Sequence, residues 1–265
     1  MNESDERSGC NEREERPPVA EAALSVVLVG HNDRAHLEGV LEAWTAYLNA
    51  LARNYEVLLI DDGSTDGMSR AAEALLERHP QLRLLRHNNR RGLGAALRTG
   101  LQHARFPLIS YTTCDHQYQP TDLGRLLEWI DRTDLVGGYR VGPRGRRPRG
   151  FKARAYRWLI RFLFAVRLRD LDCLFLLARR TIFARIPIQS DGPFAHVEIL
   201  AKANFLGCLM TEAPVSFQVP QPESSITKAT SRSLLGELYQ VFLHPDFGPP
   251  IVAEDADPSG LLSKP

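Results

Sequence analysis

Short, mostly apolar runs recur along the chain, separated by segments in which apolar residues return every three or four positions. Leu24 to Val29, Val57 to Ile60, Leu82 to Leu85, Leu108 to Tyr111 and Leu135 to Gly137 are such runs, each the length of a buried strand. Arg34 to Leu51 sets Leu37, Val40, Leu41, Trp44, Leu48 and Leu51 on one helical face, and Met68 to Leu76 does the same with Ala71, Ala72, Leu75 and Leu76. Strand and helix in alternation predict an α/β fold: a mostly parallel central sheet with helices on both faces, a three-layer sandwich. Ligands of such sheets sit beyond the carboxyl ends of the strands. Chemistry is therefore expected just after each run.

The residues found there fit that expectation. Gly30-His31-Asn32-Asp33 follows the first run, Asp61-Asp62-Gly63-Ser64-Thr65-Asp66-Gly67 the second, His87 to Gly92 the third and Thr113-Cys114-Asp115-His116-Gln117 the fourth. Adjacent carboxylates at a strand end can accept from a base N–H or from ribose hydroxyls. The plainer reading is turn chemistry, with Ser64 or Thr65 capping a helix and Asp66 in its first turn. Gly92-Leu93-Gly94-Ala95-Ala96-Leu97 invites a dinucleotide-fold reading, but Leu97 stands where the third glycine belongs and the segment does not follow the first strand. Its small residues are better read as letting a helix start close to the sheet. Asp115 and Gln117 could offer oxygen to a divalent ion; the alternative is a cap for a helix opening at Pro120-Thr121-Asp122.

Composition narrows this little: 43% hydrophobic and 25% charged residues describe an ordinary globular chain. With 33 Lys and Arg against 32 Asp and Glu there is no global charge to attract nucleic acid. Charge is uneven, however, and arginines crowd Arg140 to Arg180 against only Asp170 and Asp172. Within this region Tyr156 to Val166 has the pattern of an amphipathic interfacial helix with basic flanks, or of a core helix with snorkelling arginines. The four cysteines are far apart, which argues against zinc and disulfides and fits a cytosolic setting. Residues 1–21 read as a polar lead without the apolar stretch of a signal or anchor, 22–220 as the domain, 221–247 as a helical extension and 248–265 as a polar tail.

In this order and at these spacings, VVLVGHND, VLLIDDGSTDG, NNRRGLGAALRTG and TCDHQYQP resemble family-two glycosyltransferases of the dolichyl-phosphate mannosyltransferase type, over roughly Leu24 to Val219. The resemblance implies a GT-A (Rossmann-like) fold, a nucleotide-diphosphate sugar donor and inversion at the anomeric carbon. It places Val29, His31, Asn32 and Asp33 at the nucleotide and Asp61 and Asp62 at base and ribose. Gly92, Gly94 and Ala95 form the loop near the donor, Cys114 is among the donor-lining positions, and Asp115 and Gln117 hold Mg2+ or Mn2+. Thr113 replaces the first acid of the metal motif, Asp33 shortens a glutamate, Leu174 and Leu176 stand where the family has Gly and a basic residue, and the later Arg-x-x-Gly-x-Ser element is not recognisable in Gln221 to Lys228.

The acceptor decides the rest of the chemistry. A polyprenyl phosphate is already anionic and needs positive charge, for which Arg140, Arg144 and Arg179, with Asp170 beside them, are the candidates, together with peripheral contact at the inner face of a membrane. A glycan hydroxyl needs a base, and Glu198, with Asp115 in the catalytic set, is the family-matched acid. The chain could also bind a nucleotide sugar without turnover, as a scaffold. A nucleotidyltransferase would want a Gly-rich basic loop after the first strand, which Gly30 to Asp33 does not supply. Asparagine at position 62 or 115 is expected to remove activity with folding largely intact.

Overall fold

The computed structural model describes residues 19–141, 151–218 and 231–247. Arg144, the Gln221 to Lys228 segment, the lead up to residue 18 and the tail from 248 lie outside the described residues.

One seven-stranded sheet organises the chain, in the order β3-β2-β1-β4-β6-β5-β7. The strands are β1 (Leu24–Gly30), β2 (Tyr55–Asp61), β3 (Leu82–Arg86), β4 (Leu108–Thr113), β5 (Leu135–Val141), β6 (Leu176–Arg179) and β7 (Met210–Ser216). β1 and β2 are buried along their whole length because helices cover both faces, which is why they read as near-continuous apolar runs. Glu56 is the exception inside β2. Its carboxylate accepts from Ser25 Oγ (2.7 Å), Arg83 Nη1 (2.7 Å) and the Arg105 N–H (2.7 Å). The Arg83 pair and the two other donors hold the Glu56 carboxyl below its usual range despite burial.

Registers fix where the strands end. Gly30 lies opposite Asp61, Val29 opposite Thr113 and Val141 opposite Ser216, all in parallel pairs. Only β6 runs the other way, antiparallel to both β4 and β5. Every other strand thus ends at one rim. The five sequence-predicted strands are all present; β6 and β7 are additions. β6 has four residues, and β7 is a half-buried edge strand whose Pro214 suits an edge.

The helices α1 (Arg34–Ala50), α2 (Met68–Leu75) and α4 (Asp122–Ile130) share one face: α1 packs on α2, and Tyr47 of α1 bonds the Gly124 backbone of α4. The other face carries α3 (Leu93–His103) and α7 (Phe194–Phe205), with α5 (Phe151–Phe164) and α8 (Ser231–Leu243) against α7. A short α6 (Arg180–Ala184) follows β6. No helix among the described residues is long and apolar enough to cross a membrane.

His196 on α7 is buried, and its Nδ1 lies 2.7 Å from the Tyr111 hydroxyl of β4. Burial pulls its imidazole down to about 4. The unfolded chain takes up this proton near the ordinary histidine value of about 6.5, so the neutral ring stabilises the fold above that pH and the contribution is lost as pH falls toward 4. Chemical denaturation at pH 7 and pH 5 is expected to show this loss, and His196→Gln, which cannot charge, should show a shallower one. Equal slopes in the two proteins would refute it.

Candidate functional site

The chain runs outward from β1 to β2 and β3, then returns to β4 on the other side of β1, so the loops after β1 and β4 bracket a crevice at a topological switch point. Both loops contain a non-glycine residue with left-handed backbone: Asn32 (φ 59) and His116 (φ 55). Such residues cost about 1 kcal/mol or more and persist where the surroundings fix them, commonly at ligand sites. For Asn32 the fixing is visible. Its N–H donates to Ser64 Oγ (2.9 Å), and its Oδ1 accepts from the Thr65 N–H (2.8 Å). Asp66 adds a second stitch, accepting from the N–H groups of Arg34 (2.9 Å) and Met68 (2.9 Å). Asp66 thus caps α2 and ties it to α1, which the sequence reading gave to Ser64 or Thr65.

Acids from three strand ends converge. Burial pushes the Cys114 thiol well above its usual value, and the carboxylates of Asp33, Asp115 and Asp61 push it further. Asp33 Oδ2 accepts from the His31 N–H (3.0 Å), and His31 Nδ1 lies 2.8 Å from the Asp62 carbonyl. Asp115 accepts from Thr113 Oγ1 (2.6 Å) and from Gln117 Nε2. Thr113 therefore donates to the remaining acid of the motif instead of adding a second charge.

Several residues expected at the donor have buried side chains. Val29, Cys114 and Ala95 are core residues, and they frame the rim with backbone only. Asp61 and Asp62 have no exposed surface either. Asp61 accepts from the Ser64 N–H (2.8 Å) and from Ser69 Oγ, which shapes the β2 loop. Asp62 accepts from the N–H groups of Arg91 (2.9 Å) and Gly92 (2.8 Å) and from His87 Nδ1 (2.8 Å). The adjacent acids thus organise the rim in the structure, Asp61 through the β2 loop and Asp62 through the glycine loop. Alternation explains the pair, since neighbouring side chains at a strand end leave in opposite directions.

Gly92 (φ 101) opens α3, and a Cβ there would overlap the Asp191 carbonyl; one on Gly94 would overlap the Ser190 carbonyl. These glycines let residues 188–192 close over the loop, with the Gly94 N–H donating to Asp191 O at 2.7 Å. Arg98 of α3 reinforces the contact through Ile188 O (2.8 Å) and Asp191 Oδ1 (3.1 Å). From the far side, Glu198 accepts from the N–H groups of Gln189 (2.8 Å) and Ser190 (2.9 Å) and pairs with Lys202 Nζ (2.7 Å). Glu198 is completely buried. Its geometry is that of a loop anchor, with a protein donor on each oxygen.

The expected cationic set is divided. Arg140 forks onto Asp170 (2.6 and 2.7 Å), with Asp172 at 4.0 Å, so its charge is neutralised within the fold. Arg179 lies opposite Leu108, at the end of the sheet where β4 begins. It therefore cannot meet a ligand at the acid-bearing rim. The antiparallel course of β6, which the sequence pattern did not show, carries it there. Exposed Arg90 and Arg91 stay at the rim, on the loop after β3.

A separate cavity lies away from these residues. An open recess of about 890 Å3, lined by Asn49, Arg53, Asn54 and Phe106 among others, lies where the strands begin. Its lining groups the acids and glycine loop nowhere, so the chemistry argues for the opposite rim. Among the described residues no group of three or more His, Cys, Asp or Glu side chains is gathered for a metal ion. Asp115 is still compatible with one, since Mg2+ commonly takes one or two protein carboxylates and completes its shell with phosphate oxygens and water.

The sequence profile of the family described as Glycosyl transferase family 2 matches residues 25–189. Glycosyltransferase AglD of Haloferax volcanii is 29% identical over 240 residues, 84% of this chain and 37% of that protein. The undecaprenyl-phosphate 4-deoxy-4-formamido-L-arabinose transferase of Aeromonas hydrophila subsp. hydrophila is 32% identical over 187 residues, 68% of this chain and 56% of that protein. The chain thus spans between about a third and somewhat over half of these relatives (37% and 56%). Among solved structures, glucosyl-3-phosphoglycerate synthase of Mycobacterium tuberculosis, in complex with Mn2+, UDP and glucosyl-3-phosphoglycerate, superposes with a TM-score of 0.66 at 20% identity, covering 91% of this chain and 87% of that one. The architecture is that of the GT-A glycosyltransferases.

Proposed function

Because the chain belongs to glycosyl transferase family 2, we propose that it transfers a sugar from a nucleotide-diphosphate donor, with inversion, to a polyprenyl-phosphate acceptor. The observation that carries this reading is the gathering of Asp33, Asp61 and Asp115 with the Gly92 to Gly94 loop at the rim where the parallel strands end. The acceptor class rests on relatives named as undecaprenyl-phosphate and dolichyl-phosphate transferases, the latter from Dictyostelium discoideum, 26% identical over 132 residues, 46% of this chain and 40% of that protein.

In the proposed reaction an acceptor oxygen attacks the anomeric carbon as the bond to the nucleoside diphosphate breaks, and the electron pair leaves on the β-phosphate. A bound Mg2+ or Mn2+ would supply Lewis-acid stabilisation of that charge, with Asp115 and Gln117 as its protein ligands. Asp62 fixes the glycine loop before donor arrives, so the backbone needs no reorganisation during the step. An acceptor phosphate carries its charge at neutral pH and requires no base. That suits a site in which Glu198 is buried and already bonded. Exposed Arg90 and Arg91, on the loop after β3, are candidate cations for that phosphate.

Helix α5 gives the acceptor a route. Ile160 and Phe164 pack inward, while Trp158 (66% exposed) and Phe162 (71%) stack on each other facing out, with no acid in the helix. An aromatic face with basic flanks suits an anionic bilayer surface. Vesicles containing phosphatidylglycerol are expected to float the protein at low salt and less so at high salt. The double variant Trp158→Ala, Phe162→Ala should bind about tenfold or more weakly, since each aromatic buries apolar area worth ~1.5–3 kcal/mol. Unchanged flotation would contradict this membrane contact.

The donor is tested with UDP-glucose, UDP-N-acetylglucosamine and GDP-mannose by thermal shift and by release of nucleoside diphosphate. One donor should raise the melting temperature and turn over in the presence of lipid extract. Silence across the panel would overturn the proposal. A second reading, donor binding without turnover, is favoured by one observation, the Thr113 hydroxyl bonded to Asp115. Calorimetric binding with no release, not rescued by Thr113→Asp, would select it.

A further inference from the structure

Helix α8 lies beyond the segment matched by the family profile, yet the chain from α8 onward grips the loop that closes on the glycines. We propose that Glu237 is a positioning residue of the donor site, capping the start of α7 from another helix and holding residues 189–192 against Gly92 and Gly94. The consequence for donor binding rests on the reading of this rim as the donor site.

Helix α7 starts without a cap of its own: Pro193 stands at its N-cap with no side-chain hydrogen bond, and its first turn has no acid. Helix starts leave backbone N–H groups unsatisfied, and a carboxylate there meets both those donors and the positive end of the helix dipole. Glu237 fills the role from outside. Its Oε1 accepts from the Gly192 N–H (3.0 Å); burial pushes the carboxyl up, and the backbone at Gly192 and Phe194 offsets this only in part. Gly192 permits the approach, since a Cβ there would run into the Glu237 carboxylate. Buried Leu238 and Val241 seat the helix that presents it.

A second clasp lies just past α8. Gln189 Nε2 donates to His244 O (2.9 Å), and Gln189 Oε1 accepts from the Asp246 N–H (2.8 Å). The loop is thus held from α3 by Arg98, from α7 by Glu198 and from the C-terminal strap at two points. Its Asp191 carbonyl in turn receives the Gly94 N–H. Releasing the strap therefore loosens the wall of the glycine loop while the sheet that carries the acids stays intact.

Hydrogen exchange and calorimetry with UDP and GDP on the full chain test this, using Glu237→Ala, Glu237→Gln and, as a control, Tyr239→Ala, which alters an exposed side chain on the same helix. In Glu237→Ala the amides of residues 189–192 and 194 should exchange about fivefold to tenfold faster, the size of losing one cap, with β1 and β4 unchanged. Nucleotide affinity should fall several-fold. Glu237→Gln keeps an acceptor oxygen and should restore most of both effects, and Tyr239→Ala should alter neither. Unchanged exchange at 189–192 and 194 in Glu237→Ala, or faster exchange spread equally into β1 and β4 with affinity retained, would overturn the proposal. A wild-type chain that binds neither nucleotide would sink the donor reading alone, and the exchange result would still decide the role of Glu237.

Discussion

Replacing Asp115 by asparagine is expected to lower turnover by about a hundredfold to a thousandfold, the usual cost of removing one preorganised electrostatic group from a transition state. The geometry makes this a clean substitution. Asp115 accepts from Thr113 Oγ1 and Gln117 Nε2, and an asparagine can keep both contacts: its oxygen still accepts from Thr113, and Gln117 can turn its amide to accept from the new NH2. What disappears is the negative charge. The melting temperature should therefore stay within a few degrees of wild type. Initial rates and thermal melts on the same preparations separate the two effects. Turnover within about threefold of wild type, or a loss matched by unfolding, would remove Asp115 from the chemistry.

Asp62→Ala should do the opposite and act first on stability, by roughly 3–5 kcal/mol. Three donors point at this fully buried carboxylate, two of them backbone N–H groups of the glycine loop. A buried donor left without an acceptor costs about 1–3 kcal/mol, and the loop they hold would lose its shape with them. Asp62→Asn is expected to be intermediate, since it keeps one acceptor oxygen but turns an NH2 toward a donor. The expectation from sequence that asparagine here spares the fold is thus replaced by its reverse. Urea denaturation of both variants checks this, and a stability loss below about 1 kcal/mol for the alanine would show that Asp62 is not the hub the contacts describe.

The distinction between these two acids marks the limit of what the residues alone could say. Both stand after an apolar run, and both match the family pattern. Yet Asp62 accepts from the next loop, and Asp115 accepts from Thr113 and Gln117 of its own turn. Glu198 shows the same limit, because its identity as an acid on a helix says nothing of the Gln189 and Ser190 amides that close on it. Glu237 carried no signal at all. Its importance comes from where α8 lands, more than forty residues along the chain from the loop it holds.

The order of strands and helices, the rim at which ligands should gather and the family were fixed by local pattern, because strand and helix periods and turn residues are short-range properties of neighbouring side chains. Tertiary structure alone decided that Asp62 and Glu198 brace loops, that β6 enters the sheet reversed and carries Arg179 to the far end, and that Asp170 neutralises Arg140. Those outcomes depend on contacts between distant segments. Burial and hydrogen bonding then set the role of each charged group, and neither is a property of the residue itself.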